Sequence, residues 1–212
     1  MAAHWPALAR AMQVPLRLPE HRGVALTFDD GPHPEGTPAV LDALARRGAR
    51  ATFFLVGEQV ERHRSLAAEI IAEGHGVAVH GYHHRNQMRL TPREFAADLQ
   101  RGVEVIGEVY GRRPEIYRPP YGIFTLPGLS ATRRFALRPL LWSRWGRDWS
   151  ARTTVEQIVG LVSRGLGEGD VVLLHDADWY SSPGSHRHTA AALPRILDVL
   201  EERGLRAVLA DS

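Results

Sequence analysis

The order of apolar runs and amphipathic segments narrows the fold of this 212-residue chain more than any other feature. Short apolar runs at 24–28, 51–56, 76–80, 115–118, 138–143, 170–175 and 206–209 alternate with helical patterns at 38–47, 58–73, 92–110, 126–134, 154–164 and 189–203. A helix between two such runs carries the chain back across the sheet, so successive strands lie parallel. The helices carry their own punctuation: Thr91-Pro92-Arg93-Glu94 supplies an N-cap, a first-turn proline and an acid three residues on, and Gly48, Gly74, Gly111 and Gly204 follow helix ends. The pattern predicts an α/β protein, a single-domain distorted (β/α) barrel with about seven parallel strands, with a doubly wound open sheet as the alternative. No repeat, low-complexity tract or linker divides the chain, so the catalytic unit is expected over 23–212, with 1–22 as an N-terminal extension.

Polar residues capable of chemistry cluster where those strands end. Residues 27–32 read Thr-Phe-Asp-Asp-Gly-Pro, which delivers Asp29 and Asp30 from an apolar run into a turn. Half-buried charge there is costly without a metal, a cation or a proton, although an isolated Asp-Asp-Gly also suits a solvated turn. The third run ends in His80-Gly81-Tyr82-His83-His84, three histidines within five residues. Either His80 with His84 or His80 with His83 brings two imidazoles to one side, and with a carboxylate they form a two-nitrogen, one-oxygen metal site with open positions. Arg118 follows the fourth run, Asp148 the fifth and His175 the sixth. In a parallel barrel the C-terminal strand ends share one face, so these groups are expected to assemble into one site.

Five ordered motifs then resemble the polysaccharide deacetylase family, carbohydrate esterase family 4, whose shared module is the chitooligosaccharide deacetylase homology domain. They are Thr27-Phe28-Asp29-Asp30-Gly31-Pro32, His80-Gly81-Tyr82-His83-His84, Arg118-Pro119-Pro120-Tyr121-Gly122, Asp148-Trp149 and Leu173-Leu174-His175, and the similarity runs from about 23 to 210. The resemblance implies Asp29 as general base and Asp30, His80 and His84 as ligands of a divalent metal, zinc first, with cobalt or nickel also suited. It implies that Arg118 holds the base, that the Tyr121 N–H helps bind an oxyanion, that Trp149 belongs to the substrate pocket and Leu173 lines its acetyl end, and that His175, with Asp148 nearby, is the general acid. The implied reaction is removal of N-acetyl groups from N-acetylhexosamine units of a glycan or glycoconjugate. Two positions depart from the family pattern. Gly81 replaces a frequent Ser or Thr, which predicts a looser ligand loop and keeps His83 as a substitute ligand. Trp145 replaces an aspartate, which exchanges a charge for an aromatic wall and keeps another metal-dependent C–N hydrolase, such as a deformylase or an amide or imide hydrolase, as the alternative. The intact catalytic set argues against an inactive carbohydrate-binding relative.

Composition excludes several other classes. All 26 basic residues are arginine, and with neither Lys nor Cys little titrates between histidine and tyrosine, so a formal charge of +2 is enough to produce a pI near 9.4. The arginines are scattered among acids, which predicts no nucleic-acid partner. No cysteine is present for disulfides or thiol catalysis, and no run of about 18 apolar residues predicts a membrane span. The first 20 residues, with Trp5, Pro6, Pro15 and Pro19, match a secretory signal poorly. The chain as given is therefore expected in the cytoplasm, or outside the cell or at its surface if an export segment has been trimmed. Residues 176–188 are expected to form a polar loop over the barrel mouth, with Trp179 and Tyr180 contacting substrate and His186 and His188 solvated. Oligomeric state leaves no signal in the sequence.

Overall fold

In the computed structural model, which describes residues 6–19 and 23–211, β1 (Val24–Asp29) is the central strand. On one side it is followed by β2 (Thr52–Leu55), β3 (Gly76–Val79), β4 (Ile116–Tyr117) and β5 (Arg138–Pro139). On the other side come β7 (Val171–His175) and β6 (Arg144–Trp145), while β8 (Ala207–Val208) pairs with the start of β1. Every pairing between these strands is parallel. All residues of β1, β2 and β3 are buried, as expected of strands covered by helices on one face and by the barrel interior on the other.

The strand expected at 138–143 is divided, and the division closes the barrel. Arg138 N and Leu140 N donate to Glu115 O and Tyr117 O beside β4, at 2.8 and 3.1 Å. A few residues later Ser143 N and Gly146 N donate to Val171 O and Leu173 O beside β7, at 3.0 and 3.2 Å. One extended stretch thus touches both edges of the sheet and curls it into a distorted barrel, not an open doubly wound sheet. With β5 and β6 counted as one strand, seven parallel strands make up the barrel, as the sequence pattern predicts. The ladder breaks at Leu140 and Leu141 because the Arg118 guanidinium takes both carbonyls, through Nε at 3.2 Å and Nη2 at 3.0 Å.

The helices are α1 (Pro6–Ala11), α2 (Gly36–Ala45), α3 (Gly57–Arg62), α4 (Arg64–Ala72), α5 (Pro92–Tyr110), α6 (Leu126–Arg134), α7 (Val155–Ser163) and α8 (Ser185–Glu202). The helix expected at 58–73 is two, because His63 leaves helical geometry at φ −131° and ψ 48°. The apolar pattern gives no sign of α1, whose Ala9 packs into the core with Val14 and Leu18 from the segment behind it. Pro15 O accepts from Leu141 N at 3.0 Å, and Arg17 pairs with buried Asp170 at 2.9 Å, so residues 6–19 are docked on the closing strand and β7. No helix among the described residues is long and apolar enough to cross a membrane.

The Thr91 cap forms as read from the sequence: Glu94 N donates to Thr91 Oγ1 at 3.3 Å and Thr91 N to Glu94 Oε2 at 2.8 Å. This exposed box starts the 19-residue α5, and neither Thr91 nor Glu94 is among the candidate site residues. We predict that Thr91→Ala costs about 1 kcal/mol of stability, read from urea unfolding, and leaves catalytic rates unchanged.

Candidate functional site

The strand ends expected to share a face do so. β1 ends on Asp29, β7 on His175, and Asp29 is the ladder partner of His175 on one side and of Phe54 on the other. Arg118 leaves β4 with no exposed surface, and its Nη1 donates to Asp29 Oδ1 at 2.6 Å and to Thr27 Oγ1 at 2.9 Å. Its guanidinium lies 3.8 Å from the centre of the Phe54 ring, so every side of this cation is matched by a carboxylate, a carbonyl, a hydroxyl or an aromatic face. Thr27, which the sequence reading passed over, points to the same side of β1 as Asp29 because strand side chains repeat every two residues.

Asp30 follows at a positive φ of 79°, which turns its carboxylate toward the loop after β3. Its Oδ1 stands 3.4 Å from His80 Nε2 and 3.3 Å from His84 Nε2, is buried, and has no hydrogen-bond partner among the described residues. Burial opposes ionisation of this carboxyl, but the two imidazoles facing it prevail and hold it well below the usual carboxylate range. His80 Nδ1 bonds to the Arg118 carbonyl at 2.8 Å, and as that oxygen only accepts, a neutral His80 has its lone pair on Nε2, free for a metal. Two imidazole nitrogens and an otherwise unpaired carboxylate oxygen, all within 4.8 Å of one another, match the donor set of a divalent metal.

The competing ligand pair is not formed. His83 Nδ1 lies 2.8 Å from Asp98 Oδ1 on α5, which also accepts from His83 N at 3.2 Å, and Asp98 Oδ2 accepts from Tyr82 N at 3.0 Å. The loop is accordingly tied down, contrary to the looser loop expected from Gly81. Gly81 adopts φ +95°, and a Cβ there would stand 2.9 Å from His83 O, so a side chain is excluded by backbone conformation and by space. Asp98 gave no signal in the sequence beyond being an acid on a helix.

Asp148 is fully buried between β7 and α8. It accepts from His175 N at 2.7 Å and Thr189 Oγ1 at 2.7 Å, and its Oδ1 lies 3.0 Å from His175 Nδ1. Burial alone would lower the His175 pKa, but Asp148, with Asp30 and Asp29 behind it, raises it to about 10. A cavity of about 390 Å³ is lined by Asp29, Asp30, His80, His84 and His175, by Tyr121, Trp142, Trp145, Trp149 and Leu173, and by Tyr180 from the following loop. Trp145 lies 6.5 Å from Trp142 and 5.1 Å from Trp149, ring centre to ring centre, and Arg147 covers its ring at 5.2 Å.

The polar loop differs from its expected form. Its C-terminal part is the start of α8, and His186 is 4% exposed, not solvated. Trp179 does not line the cavity; it packs against His33 at 4.5 Å and His63 at 6.0 Å. His33, Asp178 and His186 bring three possible ligand atoms together, but His33 Nδ1 accepts from Gly36 N at 3.0 Å and Glu35 N at 3.2 Å. Its proton is therefore on Nε2, which faces Asp178 Oδ1 at 3.1 Å, and with Gly184 N donating to Asp178 Oδ2 at 2.6 Å the His33–Asp178 pair acts as a hydrogen-bonded clasp on the loop.

Replacing Arg118 by methionine would strand Asp29 in the core. We predict that Arg118→Met costs about 3–5 kcal/mol in urea unfolding of the metal-free protein, as breaking a buried pair does, and that adding Asp29→Asn restores part of it. A double variant less stable than the single would contradict this account.

Residues 18–140 match the family model described as polysaccharide deacetylase. The chain is 36% identical over 189 residues to a peptidoglycan-N-acetylglucosamine deacetylase of Bacillus cereus, covering 87% of this chain and 84% of the relative. It is also 36% identical over 193 residues to a chitooligosaccharide deacetylase of Bradyrhizobium sp., covering 86% of each. The solved structure of a family 4 carbohydrate esterase from Streptomyces lividans in complex with acetate is similar at a TM-score of 0.79 and 33% identity, covering 89% of this chain and 93% of that one.

Proposed function

The chain belongs to the polysaccharide deacetylase family, and from that premise we propose that it is a metal-dependent hydrolase that removes N-acetyl groups from N-acetylhexosamine units. N-acetylglucosamine in peptidoglycan or in chitooligosaccharides is the substrate suggested by the relatives' names. The observation that carries the reading is the convergence of Asp30 Oδ1, His80 Nε2 and His84 Nε2 beside Asp29 and His175, which are ladder partners in one cavity. We take 23–212 as the catalytic unit and 1–22 as an extension.

A divalent ion on Asp30, His80 and His84, with zinc, cobalt or nickel suited to the set, would polarise the amide carbonyl and make a water acidic enough to attack near neutral pH. Arg118 engages Asp29 through Oδ1, which leaves Oδ2, 3.7 Å from His80 Nε2, to take the water's proton as the new C–O bond forms. The Tyr121 N–H is assigned to the developing oxyanion; the backbone at Tyr121 turns through φ +62° at the cavity rim. His175, held through Nδ1 by Asp148, delivers the proton on Nε2 to the amide nitrogen as the C–N bond breaks, giving acetate and a free amine. Trp149, Trp145 and Leu173 would enclose the acetyl methyl and exclude bulk water. The alternative of another C–N bond rests on Trp145 alone, whereas relatives named as N-acetyl deacetylases align over most of the chain.

The direct test is acetate release from N-acetylglucosamine oligosaccharides. Zinc-loaded protein is expected to release acetate, chelation to abolish release and zinc to restore it, and Asp29→Asn and His175→Ala each to reduce it by about 10²–10⁴-fold. No release from zinc-loaded protein on any N-acetylated sugar would move the assignment to another C–N bond.

A second prediction follows from the raised pKa of His175. The acid must hold its proton, so the alkaline limb of kcat/KM lies where His175 loses it. Asp148 is what raises that point, so Asp148→Asn is predicted to move the limb to lower pH by about one unit or more, read from the pH–rate profile. An unmoved limb would assign it to a different group.

A further inference from the structure

The two imidazoles facing Asp30 are supported in different ways. His80 has the usual arrangement for a metal-binding histidine, its far nitrogen bonded to a backbone carbonyl at 2.8 Å. His84 has none: its Nδ1 is buried and without a hydrogen-bond partner among the described residues. What holds its ring is aromatic. Tyr180 lies parallel to it, with centres 4.2 Å apart and planes 8° apart, and Tyr121 meets it edge-on at 4.6 Å.

Tyr180 is itself fixed from a third element. Its hydroxyl donates to Glu58 Oε1 at 2.8 Å and accepts from Gln59 Nε2 at 2.9 Å, both in the first turn of α3. The same turn anchors the loop carrying His84, since Gly57 N donates to Gly81 O at 3.0 Å and Glu58 N to Tyr82 O at 2.9 Å. A Cβ on Gly57 would come within 2.8 Å of the Tyr82 ring, so the close approach requires glycine there. One helical turn thus sets the position of the imidazole along the chain and of the ring that lies flat on it.

We propose that Tyr180 is a positioning residue for the metal ligand His84, replacing by stacking the hydrogen bond that this histidine lacks. A buried imidazole with a free Nδ1 can rotate about its ring bond at no hydrogen-bond cost, and the parallel phenol removes that freedom. An imidazole that gains positive character on binding a cation also gains from an aromatic face. The polar loop after β7 therefore serves the metal site directly, in addition to walling the cavity.

This inference rests on the metal reading above, and the test separates the two. Zinc affinity is measured by competition with a chromogenic chelator for the unmodified chain, Asp30→Asn, Tyr180→Phe, Tyr180→Leu and Tyr180→Ala, with thermal unfolding of each metal-free form alongside. Tyr180→Ala and Tyr180→Leu are expected to weaken zinc binding by about 10–100-fold, as loss of a partner that orients a ligand does. Tyr180→Phe, which keeps the ring, should stay within about threefold of the unmodified chain. If Tyr180→Ala fails to fold, the comparison of Leu with Phe decides. Unmodified affinity in Tyr180→Leu, or a loss in Tyr180→Phe equal to that in Tyr180→Leu, would overturn the proposal while the loss in Asp30→Asn left the metal site standing. An unmodified chain that binds zinc no better than Asp30→Asn would overturn both.

Discussion

The buried pair of Arg118 with Asp29 is the constraint on which the rest of the structure depends. A guanidinium with no exposed surface is tolerable only where its charge and its donors are met, and here the partners come from separate elements. Asp29 and Thr27 belong to β1, Leu140 and Leu141 to the strand that closes the barrel, and Phe54 to β2. Moving any of these would leave a cation or a carbonyl unpaired in the core. The same demand shapes the site, because one carboxylate oxygen is committed to Arg118 and the other is left beside His80.

Around this pair the site separates charges by giving each titratable group a different neighbour. Asp30 is held low by the imidazoles it faces, while His175 is raised by Asp148, which also accepts from the Thr189 hydroxyl. Asp176, next to His175, is pushed up to about 7 by burial, with Thr37 Oγ1 donating to it at 2.5 Å. Asp29 and His175 therefore lie on neighbouring strands without neutralising each other, because each is already paired with a group behind it: Asp29 with Arg118, His175 with Asp148.

What the sequence made legible was periodic or adjacent; what it hid was long-range. The alternation of apolar runs yields the barrel, and position at a run's end yields Asp29, Asp30, His80, Arg118, Asp148 and His175. Spacing alone could not choose between His83 and His84, since both suit a pair with His80; Asp98, fifteen residues past His83 on another element, decides it. The break in the fifth strand was unreadable because its cause is a side chain from β4. The start of α8 was missed because its cap is Gly184 at φ +78° with no side-chain acceptor, where a Ser, Thr, Asp or Asn would have marked it. His186 read as solvated because the ring it packs against, His33 at 4.5 Å, lies more than 140 residues away in the chain.

The aromatic wall gives the departure at Trp145 a physical sense. In a wet cleft the groups that move protons would be screened, and the field of Asp148 at His175 would be weakened. Here Trp142, Trp145 and Trp149 form a continuous apolar side to the cavity, and Trp149 meets the His175 ring edge-on at 5.6 Å. An aspartate at 145 would add a charge and its hydration shell to that wall. A tryptophan removes both and lowers the local dielectric, so the charges opposite act over the cavity with less screening. The exchange leaves Asp29, Asp30, His80, His84 and His175 in place and alters the medium around them. A sugar entering this cavity would meet carboxylates and imidazoles together with the indoles of Trp142, Trp145 and Trp149.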